Sequence, residues 1–70
     1  MIVDKQTLKS WQGIVLGYIE TDNVGNKIVR DSYGKVLGRY DKRADITRDL
    51  YGRVVAKGDQ CTMLIGLNNK

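Results

Sequence analysis

The sequence predicts an all-β fold: an antiparallel meander of three β-hairpin repeats followed by a terminal strand. One segment occurs three times, each copy carries a four-residue turn sequence ending in glycine, and short runs rich in Val, Ile, Leu and Tyr flank each turn. An internal repeat of this kind indicates the architecture directly. Helical repeats are disfavoured, because glycine recurs every few residues and no apolar stripe with a 3.6-residue period is present.

The two clearest copies are residues 28–41 (IVRDSYGKVLGRYD) and 46–59 (ITRDLYGRVVAKGD), which align with a step of 18 residues. Asp in the centre of each copy suits the first position of a type I turn, where its carboxylate accepts a bond from the backbone N–H two residues on. Gly at the fourth position can adopt the left-handed conformation that returns the chain antiparallel. Each copy is therefore predicted to be a β-hairpin.

A more divergent copy, residues 7–20 (TLKSWQGIVLGYIE), precedes the second by a step of 21 residues. Ser10 replaces the turn Asp and is acceptable there. The connection 21–27 has its own Asp and Gly at turn spacing, at Asp22 and Gly25, and is predicted to be a further turn. Residues 1–5 suit a short edge strand or a frayed terminus, and residues 42–45 suit a charged loop.

Residues 61–67 (CTMLIGL) predict a final strand, because MLIG at 63–66 resembles IVLG at 14–17. We expect it to close the sheet as half of a fourth unit. The result would be one domain, residues 1–70, forming a small barrel-like or prism-like unit with approximate threefold internal repetition. A left-handed β-helix with an 18-residue coil is the alternative, since the step between the last two copies fits it. The turn glycines favour hairpins.

Alternation of side chains along the three return strands predicts two different faces. One face carries a valine followed two residues later by a small residue, which indicates close approach of another strand or sheet. The other carries larger aliphatic residues flanked by basic ones. The first set is Val15, Val36 and Val54 with Gly17, Gly38 and Ala56, and the second is Leu16, Leu37 and Val55.

The composition predicts a cytoplasmic protein that relies on partners for stability. A chain of 70 residues buries only roughly 60% of the surface that its unfolded form exposes. Its fold is marginally stable without disulfides, a bound metal or partner subunits. Its one cysteine cannot form an internal disulfide, and the lone cysteine without a leader sequence indicates a reducing compartment. The longest apolar run is too short to cross a bilayer. We therefore expect a homo-oligomer and no membrane association.

Catalytic chemistry is not indicated. The chain has no histidine, the commonest general base and metal ligand, and Cys61 accordingly has no histidine to activate it. The turn aspartates supply one carboxylate each, already used by the turn, whereas a calcium loop needs several oxygen ligands. We expect a non-enzymatic protein that uses no cofactor and no metal.

The first function hypothesis is a small structural or protein-interaction module that self-associates. Ile14 and Tyr18 replace basic residues of the other two copies. Together with the apolar C-terminal segment, these two residues would form an exposed apolar surface. Such a surface favours association. The predicted oligomer interface consists of Ile14, Tyr18, Met63, Leu64, Ile65 and Leu67.

The second hypothesis is a basic module that binds nucleic acid weakly and independently of sequence. The net charge is +4, and basic residues occupy equivalent positions of two hairpins with tyrosines close by. Cations interleaved with aromatic rings suit single-stranded nucleic acid. The alternative for the basic residues is a solvated strand face whose charges block edge-to-edge aggregation. The alternative for the turn tyrosines is packing across the neck of the hairpin. The candidate polyanion-binding residues are Lys35, Arg39, Arg53 and Lys57, with Tyr33, Tyr40 and Tyr51 nearby.

Overall fold

The structure is a computed structural model that describes residues 2–68, with side chains described as far as residue 66. All six strands lie in one sheet in chain order, and every neighbouring pair is antiparallel. The elements are β1 Ile2–Lys9, β2 Val15–Asp22, β3 Lys27–Asp31, β4 Val36–Asp41, β5 Ile46–Asp49, β6 Val54–Lys57 and α1 Cys61–Asn68. The predicted meander of three repeat hairpins is confirmed, and the β-helix is excluded because it needs parallel pairing between successive repeats.

Four turns share the geometry that the sequence predicts, and the turn at Asp31 illustrates it. The Asp31 carboxylate accepts bonds from the backbone N–H groups of Tyr33 at 2.8 Å and Lys35 at 2.9 Å. The Gly34 N–H donates to the Asp31 carbonyl at 3.0 Å, and Gly34 adopts a φ of 87°. The same bonds recur in the turns that begin at Ser10, Asp22 and Asp49.

The predicted terminal strand at residues 61–67 is wrong, because this segment forms the helix α1. Gly58, with a φ of 75°, turns the chain out of β6 and onto one face of the sheet. A helix then brings Cys61, Leu64 and Ile65 to one side, since residues three and four apart share a helix face. All three are buried. A strand would have separated Leu64 from the other two.

The predicted closure into a barrel or prism is also wrong, because the sheet is open. β1 and β6 are its two edges and are not paired with each other in the described part of the chain. The helix packs on β2, β3 and β4 instead. The residues expected to close the sheet therefore cover one of its faces.

Each repeat hairpin contains a β-bulge at the same place. The register shifts by one residue at Leu8/Lys9, Val29/Arg30 and Thr47/Arg48. A bulge puts two residues opposite one and interrupts the alternation of faces. The extra residues therefore pack against the same core as the helix, not on the face opposite the small residues as simple alternation predicted. These residues are Leu16, Leu37 and Val55.

The core lies between the central strands and α1. It combines Ile19, Val29 and Tyr40 with the three buried helix residues. A Cβ added to Gly17 would lie 3.0 Å from the Ile65 side chain, and one added to Gly38 would lie 2.7 Å from Leu64. The close approach predicted beside the small residues is real, but a helix makes it.

Thr47 fixes the segment that leads into the helix. Its buried hydroxyl donates to the Gly58 carbonyl at 2.7 Å and accepts a bond from the Gln60 N–H at 3.1 Å. The equivalent positions of the other repeats hold Leu8 and Val29. The third repeat therefore carries a hydroxyl where the chain leaves the sheet and crosses over it.

Candidate functional site

The face of the sheet opposite α1 is open to solvent and is called here the outer face. Directly opposed residues of an antiparallel pair lie on one face, and the register pairs Arg39 with Ile28 on one side and with Arg48 on the other. Ile46, two residues from Arg48, pairs with Lys57. Arg39, Arg48 and Lys57 therefore lie close together on the outer face of β4, β5 and β6.

Arg39 and Arg48 face each other across β4 and β5, an arrangement that destabilises a sheet because the charges are alike. The Arg48 guanidinium donates to the Gly52 carbonyl at 3.0 Å. No ion pair of either arginine is present among the residues that the structure describes. The ion pairs found there are Lys27–Asp59, Arg30–Glu20 at 2.6 Å and Arg53–Asp49 at 2.9 Å.

A cleft of about 350 Å³ lies beside the arginine pair. Its two carboxylates are engaged with backbone N–H groups: Asp22 with its own turn and Asp41 with the loop that follows β4. Of its cations, Lys27 is paired with Asp59 and Arg48 donates to the Gly52 carbonyl, whereas Arg39 has no ion pair among the described residues. Arg39 is therefore the cation of the cleft best placed to meet an anionic group. The lining residues are Asp22, Asn26, Lys27, Ile28, Arg39, Tyr40, Asp41 and Arg48.

The four predicted polyanion-binding residues do not form one stripe. Arg39 and Lys57 lie on the outer face, whereas Lys35 and Arg53 lie in hairpin turns, one residue before β4 and β6. Arg53 is bound to Asp49 and lies 5.5 Å from the centre of the Tyr51 ring.

Sequence reasoning missed Arg48 as a member of the basic surface. The prediction was based on equivalent positions of different repeats, and Arg39 and Arg48 do not occupy equivalent repeat positions. The signal was nevertheless available, because a short loop between the second and third hairpins must pair β4 with β5 in antiparallel register.

Three aromatic side chains project from one end of the sheet. Because strand direction alternates, the turns β1–β2, β3–β4 and β5–β6 all lie at the same end. Trp11, Tyr33 and Tyr51 in these turns, here called the aromatic tips, are 93%, 95% and 79% exposed. The alternative that Tyr33 and Tyr51 pack across the hairpin neck is therefore wrong. Tyr40 is in the core, where its bond to Asp45 and its burial raise its pKa to about 12.

The predicted oligomer interface is not one continuous surface. Leu64 and Ile65 are 5% and 3% exposed and belong to the core of their own chain, because the segment is a helix packed on the sheet. Ile14 is exposed, and Tyr18 is half-buried on the outer face with the Lys5 ammonium 4.6 Å from its ring centre. Met63 is half-buried. The side chain of Leu67 lies outside the described residues.

Other reactive features are few in the described part of the chain. Burial and a bond with Asp59 raise the pKa of the Cys61 thiol to about 12, so the thiol is protonated at neutral pH. No group of three potential metal-ligating side chains is present among the described residues. None of the helix residues described forms a segment long and apolar enough to cross a membrane. Comparison with protein-family models, curated proteins and solved structures finds no match.

Proposed function

We propose that this chain is a small non-enzymatic binding module that holds an extended polyanion on the outer face of its sheet. The observation that carries the proposal is the directly opposed pair Arg39 and Arg48, which has no acidic partner among the described residues. The pair costs folding stability. An anionic group bound beside Arg39 and Arg48 would offset the repulsion between the like charges and accept strong charge-assisted bonds.

An extended ligand is favoured over a small anion because the cations span three strands. Lys57 continues the surface beyond the arginine pair, Ile46 lies next to Lys57, and Ile28 flanks Arg39 on the side away from Arg48. A groove that tracks a phosphate backbone supplies affinity without reading sequence. We therefore propose binding that is independent of sequence and sensitive to salt.

The test is a titration of a labelled single-stranded oligonucleotide at several salt concentrations. Three neutralised phosphates predict a fall of log K with log salt with a slope of roughly −2. The Arg39→Gln/Arg48→Gln variant should bind more weakly, with a slope shallower by about 1.4. It should fold at least as stably as the wild type, since the substitutions remove a repulsion.

The matched control is Lys42→Gln/Arg43→Gln, which removes the same charge from the exposed loop after β4. It should weaken binding much less than the outer-face variant. Absence of binding at low salt, or equal weakening by the two variants, would contradict the proposal.

Self-association is the second candidate function, and the exposed edge strand β1 favours it. β1 has eight residues, pairs with β2 alone in the described part of the chain, and leaves Ile2 and Val3 44% and 61% exposed. An edge of this kind offers unpaired N–H and C=O groups to another strand.

Sedimentation equilibrium tests this candidate. We expect an oligomer at tens of micromolar for the wild type and a shift toward monomer for Val3→Lys, because an edge charge opposes strand pairing. A wild-type monomer at that concentration would contradict self-association and leave the polyanion proposal unaffected.

A further inference from the structure

We propose that the aromatic tips Trp11, Tyr33 and Tyr51 form a stacking site for the unpaired bases of single-stranded nucleic acid. This inference rests on the proposed function, since it names the class of polyanion. It also assigns a second binding element, at one end of the sheet, to side chains that the fold does not use.

The three aromatic rings are placed where one ligand could contact them all. The chain has one Trp, four Tyr and no Phe, and three of these five rings are at least 79% exposed in equivalent turns. Exposed rings add nothing to the core and lose solvent contact only when a ligand covers them. Successive tips are two strands apart, or roughly 10 Å, so one extended ligand can reach all three.

Basic residues beside the aromatic tips favour a ligand that carries phosphates. Lys35 and Arg53 follow the turn glycines directly. Arg30 and Arg48 each donate to the carbonyl of the turn glycine four residues on, at 2.9 and 3.0 Å, which holds their guanidinium groups beside the turns. Arg30 and Arg53 are already paired with Glu20 and Asp49, whereas Lys35 and Arg48 have no ion pair among the described residues. Phosphates would meet Lys35 and Arg48, whereas a neutral polysaccharide would stack on the rings and gain nothing from the charge.

The arrangement of the aromatic tips favours a single-stranded ligand over a duplex. Bases inside a duplex are already stacked on one another, so aromatic side chains can reach only unpaired bases. The sheet also twists by roughly 20° per strand, so the tips follow a curve. A flexible single strand can follow this curve, and a stiff duplex cannot.

Trp11 is the only tryptophan, so its fluorescence reports on the tips directly. The probe is a single-stranded oligonucleotide of about 12 nucleotides, within the length range that small single-strand-binding domains cover. We expect it to quench Trp11. A duplex of equal length and heparin, a polyanion without bases, should bind the outer face without comparable quenching.

Variants identify the rings. Removal of each ring in Tyr33→Ala and Tyr51→Ala should weaken single-strand binding about five-fold or more while leaving heparin binding unchanged. Val24→Ala is the matched control. Val24 is 63% exposed and occupies the same turn position as the two tyrosines, but at the opposite end of the sheet, so this variant should bind as the wild type does.

The outcomes separate the two proposals. Heparin binding that depends on Arg39 and Arg48, without single-strand quenching of Trp11, overturns the stacking site and leaves the polyanion face standing. Single-strand quenching that depends on the tyrosines but not on Arg39, which is not among the cations beside the tips, supports the stacking site and overturns the polyanion face. Quenching by a neutral oligosaccharide and not by the single strand assigns the tips to carbohydrate and overturns this inference.

Discussion

Gly17 and Gly38 mark the places where the helix crosses the sheet. The equivalent position of the third repeat holds Ala56, on a strand that the helix does not cover. A side chain at either glycine would meet the helix, so the absence of a Cβ sets how closely α1 can pack. This repeat position therefore holds glycine where the helix crosses the strand and alanine where it does not.

Gly38→Ala tests this contact. The new Cβ would press on Leu64 and collide with the Arg48 carbonyl, and we expect a loss of about 1–3 kcal/mol in the free energy of unfolding, as is usual for overpacking. Gly66→Ala is the control, because nothing lies within 4 Å of that site and alanine favours a helix by up to ~1 kcal/mol. Equal effects of the two substitutions in urea unfolding would contradict the packing described.

Asp49 makes the fold sensitive to acid. The N–H of Arg53 lowers the pKa of this carboxyl below its ordinary value of 3.8, and the Arg53 guanidinium and the Tyr51 N–H add to the effect against burial, which acts the other way. A lowered pKa stabilises the folded chain above the unfolded pKa. That stabilisation is lost as the pH falls through the folded value.

Asp49→Asn checks this contribution. The amide oxygen keeps the turn bonds but loses the charge, so the variant should be less stable than the wild type at neutral pH. The difference should begin to shrink as the pH falls below about 3.8, the unfolded value, and should vanish only below the lower pKa of the folded chain. Urea midpoints measured from pH 2 to 7 test it, and a difference that stays constant with pH would contradict the assignment.

At the scale of the elements, the loop before α1 is held by the third repeat. Thr47 bonds the backbone on both sides of Asp59, and Asp59 itself pairs with Lys27. Burial alone would raise the pKa of Asp59, but the bonds from Lys27 and Cys61 outweigh it, and the pKa falls below its ordinary value. The segment that leads into the helix is thereby bonded to both β3 and β5.

Thr47→Val tests this anchor. It preserves the shape of the side chain but leaves the Gly58 carbonyl and the Gln60 N–H without their bonds, at a cost of about 1–3 kcal/mol. Hydrogen exchange should show lost protection in α1, while β2 and β3 keep theirs. Thr47→Ser retains the hydroxyl and should leave the helix protected. Equal exchange in the two variants would show that the hydroxyl does not hold the helix.

The hairpins and their order could be predicted because each turn is a local structure. The side chain of Asp31 or Asp49 makes the bonds that define its turn, so the sequence of five residues is sufficient. The helix could not be predicted, since the apolar segment 61–67 fits a strand as well as a helix. Packing against Gly17 and Gly38 decides between them, and that packing is not local.

At the scale of the whole molecule, the sheet has one face covered by α1 and one face open. The bulges within β2, β4 and β6 were not predicted from the sequence, and they move Leu16, Leu37 and Val55 to the covered side. Their places on the outer face are taken by Val36 and Val54, which pair with Arg30 and Arg48. Two of the three basic residues of the outer face, Arg39 and Lys57, followed from the sequence, whereas Arg48 required the register between two different hairpins.

Amide chemical-shift mapping by NMR, with a single-stranded oligonucleotide added to the isotope-labelled chain, shows whether the outer face and the aromatic tips bind the same ligand. The account predicts shifts concentrated on the outer-face positions around Ile28, Arg39 and Arg48 and at the aromatic tips, with α1 and β1 unaffected. The shifts should weaken as salt is added, because phosphate contacts displace counterions. Shifts confined to α1 or β1, or no shifts at low salt, would contradict the account.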